Sequence, residues 1–368
     1  MDLIRGRHRD ASRSATADSR RRLMNYCGID VAMKSSYLYI TDGLGKVKGK
    51  GELPTTAEDF RRALRRFVPG GLKVAVEAGP QTAWIHDLLV ELGAEVNVVN
   101  PNKVRLIAES RRKTDKIDAK LLCELLRING LPHPVHVPDK ETRSLRGLLV
   151  ARRQLVSART KICNVVRGML RQEGVNLPSR FLTSLAAWDR LLAIEFQHSH
   201  LRPIVEAYGE TFKTLTRSIQ ALDKQLARRE KSDERAARLQ TMPKVGRIAS
   251  LTFLAAVDQV ERFGSARKLV GYSGLAPTVR SSGERTEYGS ISREGRRELR
   301  AVWVQIAQLV AMDTSKATAP LRKWFSKVAF HRGKKTAIVA LARKLLTIAY
   351  HLLKQQTVYD AKKLRRAA

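Results

Sequence analysis

Residues 26–47, with the sequence YCGIDVAMKSSYLYITDGLGKV, decide the fold of the first part of the chain. Apolar residues alternate with small or polar residues from Tyr26 to Ile40, which is the period-2 pattern of a strand with one buried face. The run Asp42-Gly-Leu-Gly45 is rich in turn-forming residues, and the alternation resumes near Val47. The stretch therefore predicts a β-hairpin.

Strands and helices alternate after this hairpin. Helical patterns at 56–67 and 83–92 flank a short apolar strand at 73–77, and a further strand follows at 95–99. A longer helical segment is predicted from about residue 102 to 129. This order indicates an α/β domain, a mixed sheet covered by helices, and it resembles that of RuvC and ribonuclease H nucleases.

The rest of the chain is predicted to be mainly α-helical. Two long basic helical patterns, 144–172 and 211–239, follow a proline-rich stretch at 131–138. The second pattern has an apolar seam through Leu215, Ile219, Leu222 and Leu226, so the two helices are expected to pair as a coiled coil.

Residues 242–246 (MPKVG) come before another helical pattern and are similar to a helix-hairpin-helix element. Such a hairpin offers backbone N–H groups to a phosphate. Pro243-Lys244 replaces the usual first glycine, and a purely structural hairpin is nearly as well supported.

The charge of the chain indicates a polyanionic partner. Lys and Arg number 69 against 35 Asp and Glu, a net charge of +34, and the basic residues spread over the whole length. That distribution favours nucleic acid over a membrane surface, and a non-catalytic nucleic-acid binder stays open. Three isolated cysteines and the expected absence of a membrane-spanning apolar run predict a soluble protein of a reducing cytoplasm.

Two acidic residues stand in strands that are otherwise apolar. Asp30 lies in the first strand, and Glu77 ends the strand at 73–77. A buried charge is costly without a partner, and hard divalent cations prefer oxygen ligands. Asp30 and Glu77 are therefore candidate metal ligands.

A second acidic pair, Asp115 and Asp118, lies three residues apart on a predicted helix, so the two share a face. By itself this spacing is more typical of a solvated surface, and the candidate ion-pair partners are Arg111, Arg112, Lys113 and Lys116. The metal-binding interpretation depends on the combination with Asp30 and Glu77.

A serine pair lies in a glycine-flanked, arginine-rich segment, predicted to be a loop. From the residues alone, a turn that hydrogen-bonds DNA is more common than a nucleophile, but arginines would stabilise the charge on a scissile phosphate. The serines are Ser281 and Ser282, and the candidate nucleic-acid contacts are Arg280, Arg285, Arg293, Arg296, Arg300 and Lys244.

Several short segments resemble one family. Residues 28–32 (GIDVA), 76–79 (VEAG), 100–101 (NP) and 113–120 (KTDKIDAK) look like the DEDD-type transposases of the insertion-sequence family numbered one-ten. In the last third, the GLAP, SSG and SREGRRELR blocks within residues 274–300 look like the second domain of that family. The family is related to Piv-type DNA invertases and includes bridge-RNA-guided recombinases.

The resemblance implies functions for these residues. Asp30, Glu77, Asp115 and Asp118 would bind Mg²⁺, with Mn²⁺ as a possible substitute, and Ser282 would form a covalent phosphoserine link to DNA; Ser281 is the alternative. It also implies DNA and a guide RNA as partners, with composite sites in a homodimer or homotetramer. A site-specific invertase, a RuvC-like nuclease and a non-catalytic binder are the competing hypotheses.

The predicted organisation has six segments. They are a basic disordered extension (1–23, or an upstream start before Met24), a RuvC-like domain (24–130), a proline-rich linker (131–139), a helical coiled-coil-like segment (140–240), a transposase domain with the catalytic serine (241–355) and a basic tail (356–368).

Overall fold

A computed structural model describes residues 24–107, 115–194, 196, 200–282 and 285–362 of the chain. Its Cα positions divide the chain into two units, Met1–Val137 and Pro138–Ala368. The predicted extension at 1–23 and the end of the basic tail lie outside the described residues.

The first unit is an α/β structure. Its strands are β1 (Asn25–Val31), β2 (Ser35–Asp42), β3 (Val47–Pro54), β4 (Leu72–Glu77) and β5 (Glu95–Val99). Its helices are α1 (Ala57–Leu64), α2 (Thr82–Glu91), α3 (Pro101–Ile107) and α4 (Asp115–Arg127). One sheet of order β3-β2-β1-β4-β5 is antiparallel across β1, β2 and β3 and parallel across β1, β4 and β5. The predicted mixed sheet is confirmed.

The predicted hairpin is present as β2 and β3, but the alternating stretch from Tyr26 to Ile40, predicted as one strand, forms two antiparallel strands, β1 and β2. An additional turn separates β1 from β2, where the Ala32 amide donates to the Ser35 carbonyl at 3.2 Å. Met33 lies in this turn and is 84 % exposed, so an apolar residue that seemed to continue the alternation belongs to no strand. The predicted turn at Asp42–Gly45 is present, with the Gly45 amide 3.0 Å from the Asp42 carbonyl.

Helices cover both faces of the sheet. Phe60 of α1 and Ile85 of α2 pack with Ile29 in one core, whereas α4 packs on the opposite face through residues such as Leu122. The side chains of a strand alternate between faces, so β1 contributes to both cores.

The second unit is mainly helical. Its helices are α5 (Lys140–Gln172), α6 (Leu185–Leu192), α7 (Leu201–Lys231), α8 (Glu234–Gln240), α9 (Arg247–Val257), α10 (Ala266–Tyr272), α11 (Arg297–Met312), α12 (Ala319–Arg332) and α13 (Lys334–Lys354), and its strands are β6 (Pro277–Ser282) and β7 (Arg285–Ile291). Two buried clusters, one around Trp303 and one around Trp188, form its core.

The two long helices α5 and α7 pair inside the chain. Arg152 Nε lies 2.6 Å from Asp223 Oδ1, and Arg159 Nη1 lies 3.4 Å from Thr216 Oγ1, so the helices run antiparallel. Ile219 of the predicted seam is buried in this arrangement. The seam of α7 therefore has a partner within one chain.

Among the described residues, α13 is a helix long and apolar enough by composition to cross a membrane. Its residues Leu341, Leu345 and Leu346 are fully buried in the core of the second unit. This is the pattern of the core helix of a globular protein, and it differs from the expectation that no apolar run approaches this length.

The predicted serine loop is instead a two-stranded ribbon formed by β6 and β7. The loop was predicted from the glycines and serines of this segment. Its β-branched and aromatic residues, Val279, Thr286 and Tyr288, favour strands instead.

Candidate carboxylate and serine sites

Asp30 and Glu77 lie at the carboxyl ends of neighbouring parallel strands. The register of β1 and β4 pairs Ile29 with Val76, so Asp30 and Glu77 are the next residues along their strands. Both side chains are half-buried. The two residues are far apart in the sequence, and the connection through β2, β3 and α1 brings their strands next to each other.

The two carboxylates are on the same face of the sheet. Side chains alternate along a strand, and Tyr26 and Ala75 pack into the core beneath α4. Asp30 is four residues after Tyr26, and Glu77 is two residues after Ala75, so both point to the α4 face. This placement brings together the two residues that the sequence singled out for their apolar surroundings.

Helix α4 crosses β1 at very short distance and runs antiparallel to it. A Cβ on Gly28 would lie 2.0 Å from the Ala119 carbonyl oxygen and 2.5 Å from the Cys123 amide nitrogen. Further along the helix, the Cys123 thiol donates to the Tyr26 carbonyl at 3.2 Å. Burial raises the pKa of the Cys123 thiol, which keeps it protonated as this donor.

The direction of α4 determines where the second acidic pair lies. Since later residues of the helix contact earlier residues of β1, the first turns with Asp115 and Asp118 extend toward the end of the sheet that carries Asp30 and Glu77. Asp115 is exposed and Asp118 is half-buried. The four acidic residues thus lie toward one end of one sheet face.

The side chains of these residues are not gathered into a coordination cluster. Over the described ranges, which omit residues 108–114 just before α4, no group of three or more His, Cys, Asp or Glu side chains has the geometry to hold a metal ion. Oxygen donors from carboxylates are the ligands that Mg²⁺ prefers, so the residues suit this ion in chemical type and in placement by element.

Hydrogen bonds fix the loops that follow the two strands. Gln81 Nε2 donates to the Ala32 carbonyl at 3.2 Å, which connects the loop after β4 to the loop after β1. The Thr82 hydroxyl donates to the Glu77 carbonyl at 3.1 Å and accepts from the Gly79 amide at 2.6 Å. None of these contacts is evident from sequence spacing.

The serine pair lies at the tip of the ribbon. In the register, Ser281 pairs with Thr286 and Ser282 pairs with Arg285. The hydroxyl oxygens of Ser281 and Thr286 are 2.8 Å apart, and both residues are exposed. The Ser281 hydroxyl therefore already has a hydrogen-bond partner on the opposite strand.

The predicted arginine contacts fall into two groups. Arg280 and Arg293 are exposed on and beside the ribbon, whereas Arg296 and Arg300 are half-buried at the start of α11. The guanidinium of Arg300 donates to the Ser273 and Arg293 carbonyls at 3.2 and 3.1 Å. Arg300 thus fixes the backbone beneath the ribbon, and the side chain of Arg285 lies outside the described residues.

Arg296 has a tyrosine partner that the sequence did not indicate. Its Nε donates to the Tyr272 hydroxyl at 3.1 Å, and this hydroxyl donates to the Ala256 carbonyl at 3.2 Å. Burial raises the pKa of the Tyr272 hydroxyl, but the charges and hydrogen bonds of Arg296 and Arg262 have a larger, opposite effect. The pKa of Tyr272 is therefore lowered overall.

Lys244 occupies the turn between α8 and α9, the position expected for a helix-hairpin-helix. Its backbone is left-handed (φ 64°), and its ammonium group lies 3.1 Å from Asp313 Oδ1. Hydrogen bonds from Ser315, Lys244 and Thr318 lower the pKa of Asp313 to about 2. Lys244 therefore connects the turn to the segment after α11.

Comparison with known families defines the class of protein: the chain is a DNA transposase or recombinase. Residues 27–174 match the DEDD transposase domain of the IS110 type, and residues 236–322 match the transposase domain of the IS116/IS110/IS902 family. The chain belongs to the IS110 family of transposases.

Similar curated proteins agree with this assignment. A probable family 20 transposase of Pseudomonas aeruginosa is 28% identical over 78% of this chain and 85% of its own length. The transposase for insertion sequence element IS1111A of Coxiella burnetii is 27% identical over 90% of both chains. A pilin gene-inverting protein of Moraxella bovis is 28% identical over 72% of this chain and 74% of its own length.

Proposed function

We propose that this protein cuts and rejoins the DNA of an insertion element, using Mg²⁺ held by Asp30, Glu77, Asp115 and Asp118 and using Ser282 as the nucleophile. An element-encoded RNA selects the DNA, and the protein acts in the bacterial cytoplasm. The observation that carries the proposal is the placement of four acidic residues toward one end of one sheet face.

The carboxylates hold the divalent cation, for which Mn²⁺ can substitute. When bound, the ion neutralises charge that develops on the phosphate and lowers the cost of removing a proton from an attacking oxygen. Asp30 and Glu77 are half-buried on neighbouring strands, so they supply the rigid part of the ligand set. Asp115 and Asp118 complete it from the first turn of α4.

The serine step is a transesterification. The Oγ of Ser282 forms a bond to phosphorus, the bond from phosphorus to a deoxyribose oxygen breaks, and the serine proton is transferred to that leaving oxygen. One phosphodiester bond is exchanged for another, so the phosphoserine link has a similar free energy to the bond that was broken. The hydroxyl of a second DNA end can then displace the serine in the reverse reaction and rejoin the strand. Arg280 is exposed and lies two residues before Ser282 on β6, so its guanidinium would contact the phosphate.

The choice of Ser282 over Ser281 rests on the ribbon. Ser281 shares a hydrogen bond with Thr286, whereas Ser282 is the last residue of β6 before the turn. The family resemblance assigns the nucleophile to the serine directly before glycine, which is also Ser282.

A covalent adduct tests this mechanism. The protein is incubated with element-end DNA, its cognate RNA and Mg²⁺, and protein joined to DNA is separated on a denaturing gel. We expect an adduct with wild type and with Ser281→Ala, but not with Ser282→Ala. If recombination proceeds without any adduct, the serine mechanism is wrong. If the adduct is lost only in Ser281→Ala, the nucleophile is Ser281.

A separate binding measurement tests the carboxylates. Mg²⁺ titrated into wild type should raise the unfolding temperature, because a ligand of the native state stabilises it. Glu77→Gln should abolish this rise, and Glu52→Gln, an exposed position on β3, is the matched control. Equal stabilisation of both variants would exclude Glu77 as a ligand.

Composite sites, in which one protomer supplies the carboxylates and another supplies the serine, predict complementation. Asp30→Asn and Ser282→Ala proteins, each inactive alone, should recover part of the adduct yield when mixed as a homodimer or homotetramer. No recovery after subunit exchange would indicate that each chain carries a complete site.

Site-specific inversion is the second candidate function, favoured by the pilin gene-inverting relatives. Both functions use the same residues, and the DNA products separate them. A transposase excises or inserts the element, whereas an invertase changes the orientation of a segment between two sites. Activity that needs no RNA would also favour inversion.

A further inference from the structure

A cleft of about 320 Å³ lies within the second unit, between α5, α9 and α11. Its apolar wall includes Leu149 and Val156 of α5, Ile248 of α9 and Val302 of α11. Pockets for small ligands have volumes of roughly 300–1,000 Å³ and a mostly apolar lining with a few polar groups. The cleft is therefore large enough for one small ligand.

Arginines dominate the charged part of the lining. Of the described residues that line the cleft, Arg146, Arg152, Arg153 and Arg296 are basic and Glu298 is acidic. The cleft therefore has a net positive charge, which favours an anionic occupant.

Two of these arginines have carboxylate partners and two donate to neutral oxygens. Arg152 pairs with Asp223 at 2.6 Å, and Arg153 pairs with Glu298 at 3.1 Å.

By contrast, Arg146 donates to the Ala255 and Ala256 carbonyls at 2.5 and 3.3 Å, and Arg296 donates to the Tyr272 hydroxyl. Burial and the neighbouring charge of Arg296 lower the pKa of Arg146. An anion beside these two guanidiniums would relieve that repulsion.

We propose that the cleft holds a single unpaired nucleotide of a bound nucleic-acid strand, with its base on the apolar wall and its phosphate against Arg146 and Arg296. Guanidiniums bind phosphate oxygens bidentately and can stack on bases. A helix of a partner protein, about 10–12 Å in diameter, needs more space than a cleft of about 320 Å³ provides. The proposal deepens the proposed function, because it requires a nucleic-acid substrate.

Binding of three DNA duplexes by fluorescence anisotropy tests the proposal. One carries a single bulged adenosine, one carries an abasic residue in the same bulge, and one is fully paired. EDTA replaces Mg²⁺, so the result does not depend on the carboxylate or serine chemistry. We expect wild type to bind the bulged adenosine about tenfold more tightly than the abasic bulge, because the abasic residue has no base to stack on the apolar wall.

A variant that fills the cleft gives the second arm. Ala301 is an exposed position of α11 that lines the cleft, and Gln308 is an exposed position of the same helix away from it. Ala301→Phe should remove the preference for the bulged adenosine without changing affinity for the paired duplex, and Gln308→Phe should retain it.

Two results would overturn the proposal. Equal affinity of wild type for the adenosine and abasic bulges would show that no base enters the cleft, and this comparison requires no variant. A preference that survives in Ala301→Phe would place the base elsewhere, and a change of oligomeric state in that variant would indicate a second copy of the chain as the occupant.

Discussion

At the scale of single residues, Gly28 is the position on which the acidic face depends. The backbone of α4 lies where its side chain would be, so a glycine in the middle of a strand is explained by a close approach of backbone to backbone. This contact sets the distance between the strand that carries Asp30 and the helix that carries Asp115 and Asp118.

Gly28→Ala should therefore be strongly destabilising. The added methyl group would meet the Ala119 carbonyl and the Cys123 amide, neither of which can move without displacing α4. Overpacking typically costs about 1–3 kcal/mol, and we expect a loss of at least about 3 kcal/mol in the free energy of unfolding in urea.

Gly51→Ala is the matched control, because nothing lies within 4 Å of the Cβ position of Gly51 on β3. Its effect should stay within about 1 kcal/mol of wild type. Similar unfolding midpoints for the two variants would contradict the packing described for α4.

Asp313 gives a prediction for acid pH. Its pKa is lowered from the ordinary 3.8 to about 2, so its contribution to stability is complete above about pH 4 and is lost as the pH falls through about 2. Wild type should melt at a higher temperature than Asp313→Asn at pH 6, and the difference should shrink between pH 4 and 2. A difference that stays constant over this range would mean that Asp313 does not titrate as described.

The residue scale also shows what sequence can predict. Asp30 and Glu77 were identifiable because a charge in an apolar strand is costly, and the structure puts them side by side at the strand ends. The ion pair of Lys244 and Asp313 was not identifiable, because it joins residues far apart in the chain with no local pattern. Whether the acidic residues bind metal is still a prediction.

At the scale of elements, the pairing of α5 and α7 was indicated by apolar spacing, but the spacing could not say whether the partner was in the same chain. Leu226 is fully buried, whereas Leu222 of the same seam is only half-buried. Because the helices pair within one chain, the two leucines differ in how much of their side chain is buried.

Leu226→Ala should cost about 2–5 kcal/mol in the free energy of unfolding, as is typical of a buried leucine. Leu222→Ala should cost only about 1 kcal/mol, because less apolar surface is lost. Unfolding in urea measures both, and sedimentation should show the same oligomeric state for both variants and wild type. A state that changes in Leu222→Ala would show that the seam also joins protomers.

The ribbon shows the limit of element prediction. Glycine and serine suggested a loop, yet β6 and β7 pair over most of their length. Two-stranded ribbons are marginally stable by themselves, so the sequence signal for them is weak and depends on the surface from which they project.

At the scale of the whole molecule, charge is the dominant property. A net charge of +34 over 368 residues predicts binding to DNA of any sequence through phosphate contacts. Such binding depends steeply on salt, because each contact releases condensed counterions.

We expect affinity for a random-sequence duplex to fall at least about 100-fold between 50 and 200 mM salt, measured by fluorescence anisotropy. Proteins with roughly 6–10 phosphate contacts lose about 10³–10⁵ over this interval. A decrease of less than about tenfold would mean that few of the basic residues reach the DNA backbone.

The contact between Gly28 and Ala119 has a consequence for biosynthesis. The two residues are separated by most of the first unit, so β1 leaves the ribosome well before the helix that covers it. At a translation rate of roughly 5–20 residues per second, α4 is synthesised several seconds after β1. A translation product that stops before α4 has the strands with Asp30 and Glu77 but not the helix that covers them. Such incomplete chains therefore lack Asp115 and Asp118 and cannot form the complete acidic face.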